Sequence, residues 1–356
     1  MHQRITFSSG TKLLSEVLDH DHKGLSDFEK QALRIIHDWQ VGENTFRITT
    51  SGSTGTPKEI ILTRDQLQAS AEKTIDYFGL TSSDTALVCI NAEFIGGFMM
   101  IIRALIAGMN IILKEPTADP LDNVDIKSRP TFIAITPLQA QAFIQQPSRE
   151  LLSEMKALII GGGSIDPKTR RGFLDSPFPV YQTYGMTETI SHIALKPLHT
   201  SGGVYHVLSG IKINNKNQGR LAIKIDENTP WIMTNDVVEL IDDRSFEWIG
   251  RTDNVINSGG IKIHPEVIEL KIQEELNLMG MKGRFFLHGV ADEGLGQKAV
   301  LFFEGQIDDG SKILDRLKEV LPKYKNPKEL ISMDRFVNTP TGKIRREATV
   351  RSYFKR

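Results

Sequence analysis

Ile48-Thr49-Thr50-Ser51-Gly52-Ser53-Thr54-Gly55-Thr56-Pro57-Lys58 is the stretch on which the reading of this chain turns. Hydroxyl side chains at Thr49, Thr50, Ser51, Ser53 and Thr54 are interleaved with Gly52 and Gly55, and Lys58 adds a cation. Glycine frees the backbone to aim several N–H groups at one point, so such a loop offers phosphate a nest of donors. Phe46-Arg47-Ile48 before it and Ile60-Ile61-Leu62 after it read as short strands that would tether it. A Walker A loop needs Gly, four residues and then Gly-Lys-Ser/Thr opening a helix; Pro57-Lys58-Glu59 stands here instead. A solvated Ser/Gly linker is the plainer alternative for any run of this composition.

A chain of 356 residues with 40% hydrophobic content is long enough for one large or two ordinary domains. Its formal charge of -1 gives no general attraction to nucleic acid or to an anionic membrane, so anion binding has to be local. Cys89 is the single cysteine and lies in the apolar run Ala86-Leu87-Val88-Cys89-Ile90, which excludes an internal disulfide, predicts a buried strand position and suits the cytoplasm. Residues 1–10 hold no apolar signal-peptide core. The longest apolar run, residues 95–109, is interrupted by Arg103 and Gly108 and falls short of the roughly 18 residues that span a bilayer.

Along the chain, helical periodicity marks residues 27–40 behind a Ser26 cap, then 65–78, 97–107 and 138–145. Between them, residues 85–90, 110–113, 131–135, 157–160 and 179–182 read as strands. That alternation predicts an α/β fold with a mostly parallel, helix-covered sheet. Residues 193–249 change to alternating strands with turns at Asn214-Asn215 and Asp242-Asp243, an antiparallel, barrel-like layer. From residue 254 onward the pattern is that of a small α+β domain, with helices at 265–276 and 312–321 and strands at 284–290, 298–303 and 329–333.

Chemistry gathers in a few places. Gly161-Gly162-Gly163-Ser164 follows a predicted strand, where open α/β sheets bind ligands, although a tight turn alone would read the same way. Thr183-Tyr184-Gly185-Met186-Thr187-Glu188-Thr189 combines an aromatic face for a base, a glycine for close approach, a hydroxyl for phosphate and a carboxylate for Mg²⁺. Further on come Thr234-Asn235-Asp236, then Gly250-Arg251-Thr252-Asp253-Asn254-Val255-Ile256 with Ser258-Gly259-Gly260, and finally Asn338-Thr339-Pro340-Thr341-Gly342-Lys343-Ile344-Arg345-Arg346. Taken singly, Glu188 and Lys343 would pass for solvated surface charges.

In this fixed order the stretches resemble the motifs of the AMP-forming acyl-adenylate superfamily, the acyl-CoA synthetases, luciferases and peptide-synthetase adenylation domains. The resemblance spans residues 48–346. It implies ATP, Mg²⁺ and CoA as cofactor or co-substrates, a small carboxylic acid as partner, and no nucleic acid or membrane. Residue by residue, it implies that Thr50, Ser51, Gly52, Ser53, Thr54, Gly55 and Lys58 hold the triphosphate and that Gly161, Gly162, Gly163 and Ser164 wall the pocket. Tyr184 and Gly185 would lie against adenine, Thr187 would contact the α-phosphate and Glu188 would hold the metal. Asp236 would accept the ribose hydroxyls, with Arg251 on ribose and phosphate. Asn235 stands where the family has glycine; asparagine tolerates left-handed backbone, so the turn is expected to survive.

The same resemblance implies domains at 1–252 and 253–356, the second a mobile lid hinged at Asp253. It also implies a pantetheine tunnel lined by Ser258, Gly259 and Gly260, and a catalytic Lys343 bridging carboxylate and α-phosphate oxygens. Only about 47 residues precede the phosphate loop, fewer than is usual in the superfamily. The short o-succinylbenzoate-CoA ligases of menaquinone synthesis are the most similar members, on Met186-Thr187-Glu188-Thr189-Ile190-Ser191. Glu93-Phe94-Ile95-Gly96-Gly97 stands for the family's Phe-His-x-x-Gly, placing Phe94 where a gating histidine is usual, with His192 as a second acyl-pocket candidate and Arg103 as a candidate cation for a second substrate carboxylate. The remaining alternatives are another aryl- or fatty-acyl-CoA ligase and a non-catalytic nucleotide-binding homologue.

Overall fold

Runs of four consecutive apolar or small residues set the first layer. In Thr85–Val88, Phe132–Ile135 and Ala157–Ile160 every residue is buried, as expected for strands covered on both faces. The structure, a computed structural model, describes residues 3–17, 23–49, 59–125, 129–145, 152, 154–216, 219–339 and 343–355. The described chain forms two compact units, one from residues 3–49, 59–212 and 224–232 and one from 213–223 and 233–355.

In the first unit the elements run β1 (Arg4–Phe7), β2 (Gly10–Leu13), α1 (Leu14–Val17), α2 (Asp27–Gln40), β3 (Thr45–Thr49), β4 (Glu59–Thr63), α3 (Arg64–Phe78), β5 (Thr85–Val88), α4 (Ile95–Ala107) and β6 (Asn110–Leu113). They continue with β7 (Phe132–Ile135), α5 (Pro137–Phe143), β8 (Ala157–Ile160), α6 (Pro167–Arg171), β9 (Val180–Gly185), β10 (His192–Pro197) and β11 (Tyr205–Val207). The strand order is β11-β10-β9-β8-β7-β5-β6-β1-β2. Strands β9 through β1 in that order pair in parallel, and the sheet turns antiparallel at β10. Phe143, Phe173 and Phe178 pack with Leu87, Ile133 and Leu158 on one face.

In the second unit β12 (Lys212–Lys216), β13 (Arg220–Lys224), β14 (Ile232–Leu240) and β15 (Ser245–Arg251) follow one another in sheet order, β14 and β15 antiparallel. Then come β16 (Ile256–Ser258), β17 (Ile261–Ile263), α7 (Pro265–Leu278), β18 (Phe285–Asp292), β19 (Gly296–Glu304), α8 (Gly310–Val320), β20 (Glu329–Met333) and α9 (Arg346–Phe354). Their sheet runs β17-β16-β19-β18, with β20 parallel to β19. Ile268, Ile272 and Leu276 of α7 and Ile313 and Leu317 of α8 cover one face; Phe286, Phe302 and Phe336 with Tyr353 of α9 cover the other.

Two expectations move. The strand read over 179–182 extends to Gly185, because pairing with β10 draws Thr183 and Tyr184 into the sheet. Cys89 is fully buried but lies just past the end of β5, its thiol 3.4 Å from the Ala134 carbonyl. Among the described residues no helix is long and apolar enough to cross a membrane.

The amino end of α2 shows how local sequence fixes an element. Ser26 and Glu29 form a reciprocal capping box, and the Glu29 carboxylate also accepts from Ser8 N–H at 2.8 Å and Ser8 Oγ at 3.0 Å, tying the β1–β2 turn to the helix. Burial alone would raise the Glu29 pKa, but the hydrogen bonds from Ser8 and Ser26 outweigh it and hold the carboxyl below its ordinary value. A depressed folded-state pKa contributes stability above the unfolded value that is lost as pH falls through the folded one. Glu29→Gln should therefore lower the thermal midpoint at neutral pH by about 1 to 3 °C. The gap to the unsubstituted protein should close as scans move to pH below the ordinary carboxylate range.

Candidate functional site

The phosphate-loop residues Thr50, Ser51, Gly52, Ser53, Thr54, Gly55 and Lys58 lie outside the described residues, as does Gly342. Their flanks are described: β3 and β4 pair antiparallel with Thr49 opposite Glu59, as the two short apolar segments predict. At the carboxyl edge of the parallel strands, Gly161 follows β8 directly, and a Cβ there would meet Thr183 Oγ1 at 2.6 Å. Gly162 has φ +91°, and Gly162, Gly163 and Ser164 are exposed.

Beside them β9 ends in Tyr184 and Gly185. The Tyr184 ring is half-buried and meets Tyr205 edge-on at 5.8 Å. A Cβ on residue 185 would run into Ser191 O and His192 Cα, so only glycine lets β9 and β10 start their pairing here. The intervening residues form a 3₁₀ turn, Thr187–Thr189, stitched from inside by Thr189: its Oγ1 accepts from Met186 N–H at 3.0 Å and lies 2.8 Å from Ser191 O. Thr187 is buried at 8% exposure, and its hydroxyl has no partner among the described residues; Glu188 is exposed, and its carboxylate has none either. A hydroxyl and a carboxylate on adjacent residues, neither bonded among the described residues, suit a phosphate and its counter-ion. No cluster of three or more His, Cys, Asp or Glu among the described residues would hold a metal alone. A single carboxylate fits Mg²⁺, which keeps waters and takes its remaining ligands from phosphate oxygens.

The acyl-pocket candidates do not gather at one point. Phe94 is half-buried at the start of α4, whereas His192 is buried against Arg103, nine residues or roughly 14 Å further along that helix. Arg103 Nη2 donates to Ser191 Oγ at 2.8 Å and faces His192 Nδ1 at 3.4 Å. Since a guanidinium only donates, His192 Nδ1 is the acceptor, and its Nε2–H points to Thr74 Oγ1 at 3.2 Å. Burial and the neighbouring Arg103 push the His192 pKa well down, so the ring is neutral.

In the second unit, Asp236 and Arg251 face each other across β14 and β15. Asp236 accepts from Trp248 Nε1 at 3.1 Å and lies 3.7 Å from the Arg251 guanidinium, which also pairs with Asp253 at 2.7 Å. The expected left-handed turn at Asn235 is absent: the residue is extended within β14, where strand pairing sets the backbone. Its side chain links neighbours instead, accepting from Arg220 Nη2 at 3.1 Å and donating to Asp253 Oδ2 at 3.2 Å. Ser258-Gly259-Gly260 forms the tight turn of the β16–β17 hairpin, with φ of 58° and 81° at the two glycines. Trp248 carried no motif; a lone aromatic on a strand gives no signal until pairing places it beside Asp236.

The backbone at Lys343 is tied back to Thr339. Its N–H donates to Thr339 Oγ1 at 3.0 Å, its carbonyl accepts from Thr339 N–H at 2.8 Å, and Asn338 bridges Ile344. Arg346 anchors the chain just beyond, pairing with the half-buried Glu269 at 2.8 Å and donating to the Leu287 carbonyl. Although residue 343 is exposed overall, partial loss of water and then the Arg251 guanidinium hold its ammonium below the ordinary lysine pKa. Two cations brought together in this way describe a place for an anion.

The chain is similar to known proteins along most of its length. A sequence profile of the AMP-binding enzyme family matches residues 9–222. A 2-succinylbenzoate–CoA ligase of Bacillus cytotoxicus is 28% identical over 354 residues, covering 89% of this chain and 72% of the relative. One from Listeria monocytogenes is 23% identical over 344 residues, covering 90% and 73%. The crystal structure of an acyl-CoA synthetase (AMP-forming)/AMP-acid ligase II-like protein from Dyadobacter fermentans shares 34% identity, with 95% of this chain and 97% of that one covered and a TM-score of 0.61. The Bacillus subtilis o-succinylbenzoate coenzyme A synthetase in complex with ATP and magnesium superposes with TM-score 0.74 over 85% of this chain and 69% of its own; at 23% identity that likeness speaks for the fold.

The contact from Trp248 to Asp236 makes a prediction. A hydrogen bond to a charged group contributes about 1.5 kcal/mol or more. With Asp236 on the ribose, as the resemblance implies, Trp248→Phe should therefore weaken ATP binding about tenfold by calorimetry. An unchanged affinity would show that Asp236 needs no such support.

Proposed function

We propose, from the premise that this chain belongs to the family of AMP-binding enzymes, that it is an acid–CoA ligase working through an acyl-adenylate. The observation that carries the reading is Lys343, whose N–H and carbonyl are both hydrogen-bonded to Thr339 and whose ammonium pKa is held down by partial desolvation and by Arg251. In the first half-reaction a substrate carboxylate oxygen attacks the α-phosphorus of ATP and pyrophosphate leaves. In the second, the CoA thiolate attacks the acyl carbon and AMP leaves. Thr187 would donate to the α-phosphate, Glu188 would hold the magnesium ion, and Asp236 would take the ribose hydroxyls. Magnesium, when bound, offsets triphosphate charge. Lys343 would steady the charge that builds on carboxylate and phosphate oxygens as they approach.

The acid we favour is o-succinylbenzoate. That choice rests on relatives named 2-succinylbenzoate–CoA ligase that align along most of this chain. Asp253 is proposed as the hinge on which residues 253–356 turn between half-reactions, with the Ser258–Gly260 turn then guiding pantetheine. A few residues absorbing a large dihedral change suffice for such a step.

Protein supplied with ATP, Mg²⁺, CoA and a panel of carboxylic acids should release AMP and pyrophosphate, with the highest kcat/KM for o-succinylbenzoate. A higher value for benzoate or a medium-chain fatty acid would replace the substrate but keep the ligase, and no release with any acid would point to a nucleotide-binding homologue without activity. Lys343→Ala should slow adenylation by roughly 10² to 10³-fold and leave thioester formation from supplied acyl-adenylate far less affected.

The lowered Lys343 pKa adds a pH signature. Only the protonated amine serves, so kcat/KM for adenylation should fall as pH rises through a midpoint below the ordinary lysine value. Lys343→Arg should move that limb beyond the accessible range.

A further inference from the structure

Arg103 is 1% exposed and makes no ion pair with a carboxylate among the described residues. It interrupts an otherwise apolar helix, α4, and its Nε has no hydrogen-bond partner. Burying a guanidinium without a counter-ion is expensive, and burial pulls its pKa down to about 9, which leaves it charged at neutral pH. As filler for this position a Leu or Met would be far cheaper. What the charge does hold is Ser191 Oγ and the His192 ring, the two residues that close the turn carrying Thr187 and Glu188.

The turn is itself strained. Ile190 has φ 70° and ψ -42°, close to the rare γ-turn basin and far from anything a β-branched residue prefers. It is buried at 6% exposure, so solvent does not relax it. Such a conformation persists only where its surroundings over-determine it. Three such constraints exist here: the Gly185–His192 strand contact, the Thr189 hydroxyl inside the turn, and Arg103 on the far side of Ser191.

We propose that Arg103 is a positioning residue for adenylation: its guanidinium, bonded to Ser191 and His192, holds residues 187–191 in the strained turn that presents the Thr187 hydroxyl and the Glu188 carboxylate. It touches neither nucleotide nor metal and acts through the backbone of the turn. This rests on the ligase reading for the roles of Thr187 and Glu188.

The test measures binding of a non-hydrolysable ATP analogue by calorimetry, with and without Mg²⁺, in the unsubstituted protein, Arg103→Gln, Ile190→Gly and the double variant. Arg103→Gln should lose about tenfold in affinity for the Mg²⁺-loaded analogue and much less for the metal-free one, because a relaxed turn misplaces Glu188. Adding Ile190→Gly removes the strain that Arg103 opposes, so the double variant should recover to within about threefold of the unsubstituted protein, even though loss of a buried isoleucine lowers its thermal midpoint. A merely structural arginine would give the opposite: a second destabilising change could only add to the loss. If Arg103→Gln does not fold, Ser191→Ala removes the main hydrogen bond and should show a smaller loss, about threefold, again confined to the Mg²⁺-loaded analogue. Equal losses with and without Mg²⁺, or no recovery in the double variant, overturn the proposal. Release of AMP and pyrophosphate by the unsubstituted protein decides the ligase reading separately, and absence of any Mg²⁺-dependent nucleotide binding in that protein overturns both.

Discussion

The approach of Gly185 to Ser191 and His192 is the constraint on which the candidate site depends. Strands β9 and β10 leave the parallel regime of the sheet at this point, and they do so across a turn of only six residues. With any Cβ at 185 the strands would have to part, and Thr187 and Glu188 would lose the frame that aims them. The sheet supplies rigidity from one side through β8 and β9, paired in parallel from Leu158 to Ile160. From the other side come Arg103 and Thr74, which meet the same two residues from helices α4 and α3. A site at the carboxyl edge of a parallel sheet is the general expectation for such folds; here its geometry is narrowed by one missing methyl group and one buried charge.

The charged groups follow a consistent logic in each unit. In the first, Glu188 is exposed and unsatisfied among the described residues, while the buried cation Arg103 is spent on the backbone support. In the second, carboxylates and guanidinium alternate along Asp236, Arg251 and Asp253, with Asn235 joining them to Arg220. That network holds Arg251 in place before any ligand arrives, which lowers the ordering cost at binding. Lys343 differs in that hydrogen bonds of its own backbone to Thr339 fix it, with no ion pair among the described residues. Arg346 and the half-buried Glu269 take up the structural load three residues away, leaving the lysine side chain to respond to an anion.

Much of this was legible in residue order. Helix α2 announces itself by Ser26 and its helical period, the parallel strands by runs such as Phe132–Ile135, and the candidate site residues by glycines and hydroxyls at fixed spacing. These signals are local: caps, periodicity and loop chemistry act within a few residues of chain, so sequence alone determined the α/β class and most of its longer helices and core strands, while β1, β2 and α1, too short to show a period, went unread. Trp248, Arg103 and the strained Ile190 were of another kind. Each owes its role to a neighbour brought in by pairing or packing, Asp236 from the adjacent strand and Ser191 from 88 residues away. Asn235 shows the same limit from the opposite side, since its propensity allowed a left-handed turn but the β14 ladder imposed an extended one. Local propensity is a matter of tenths of a kcal/mol per residue, whereas a paired strand or a buried guanidinium involves several. Tertiary structure therefore decided which side chains support the site, and sequence decided only which ones it was built to display.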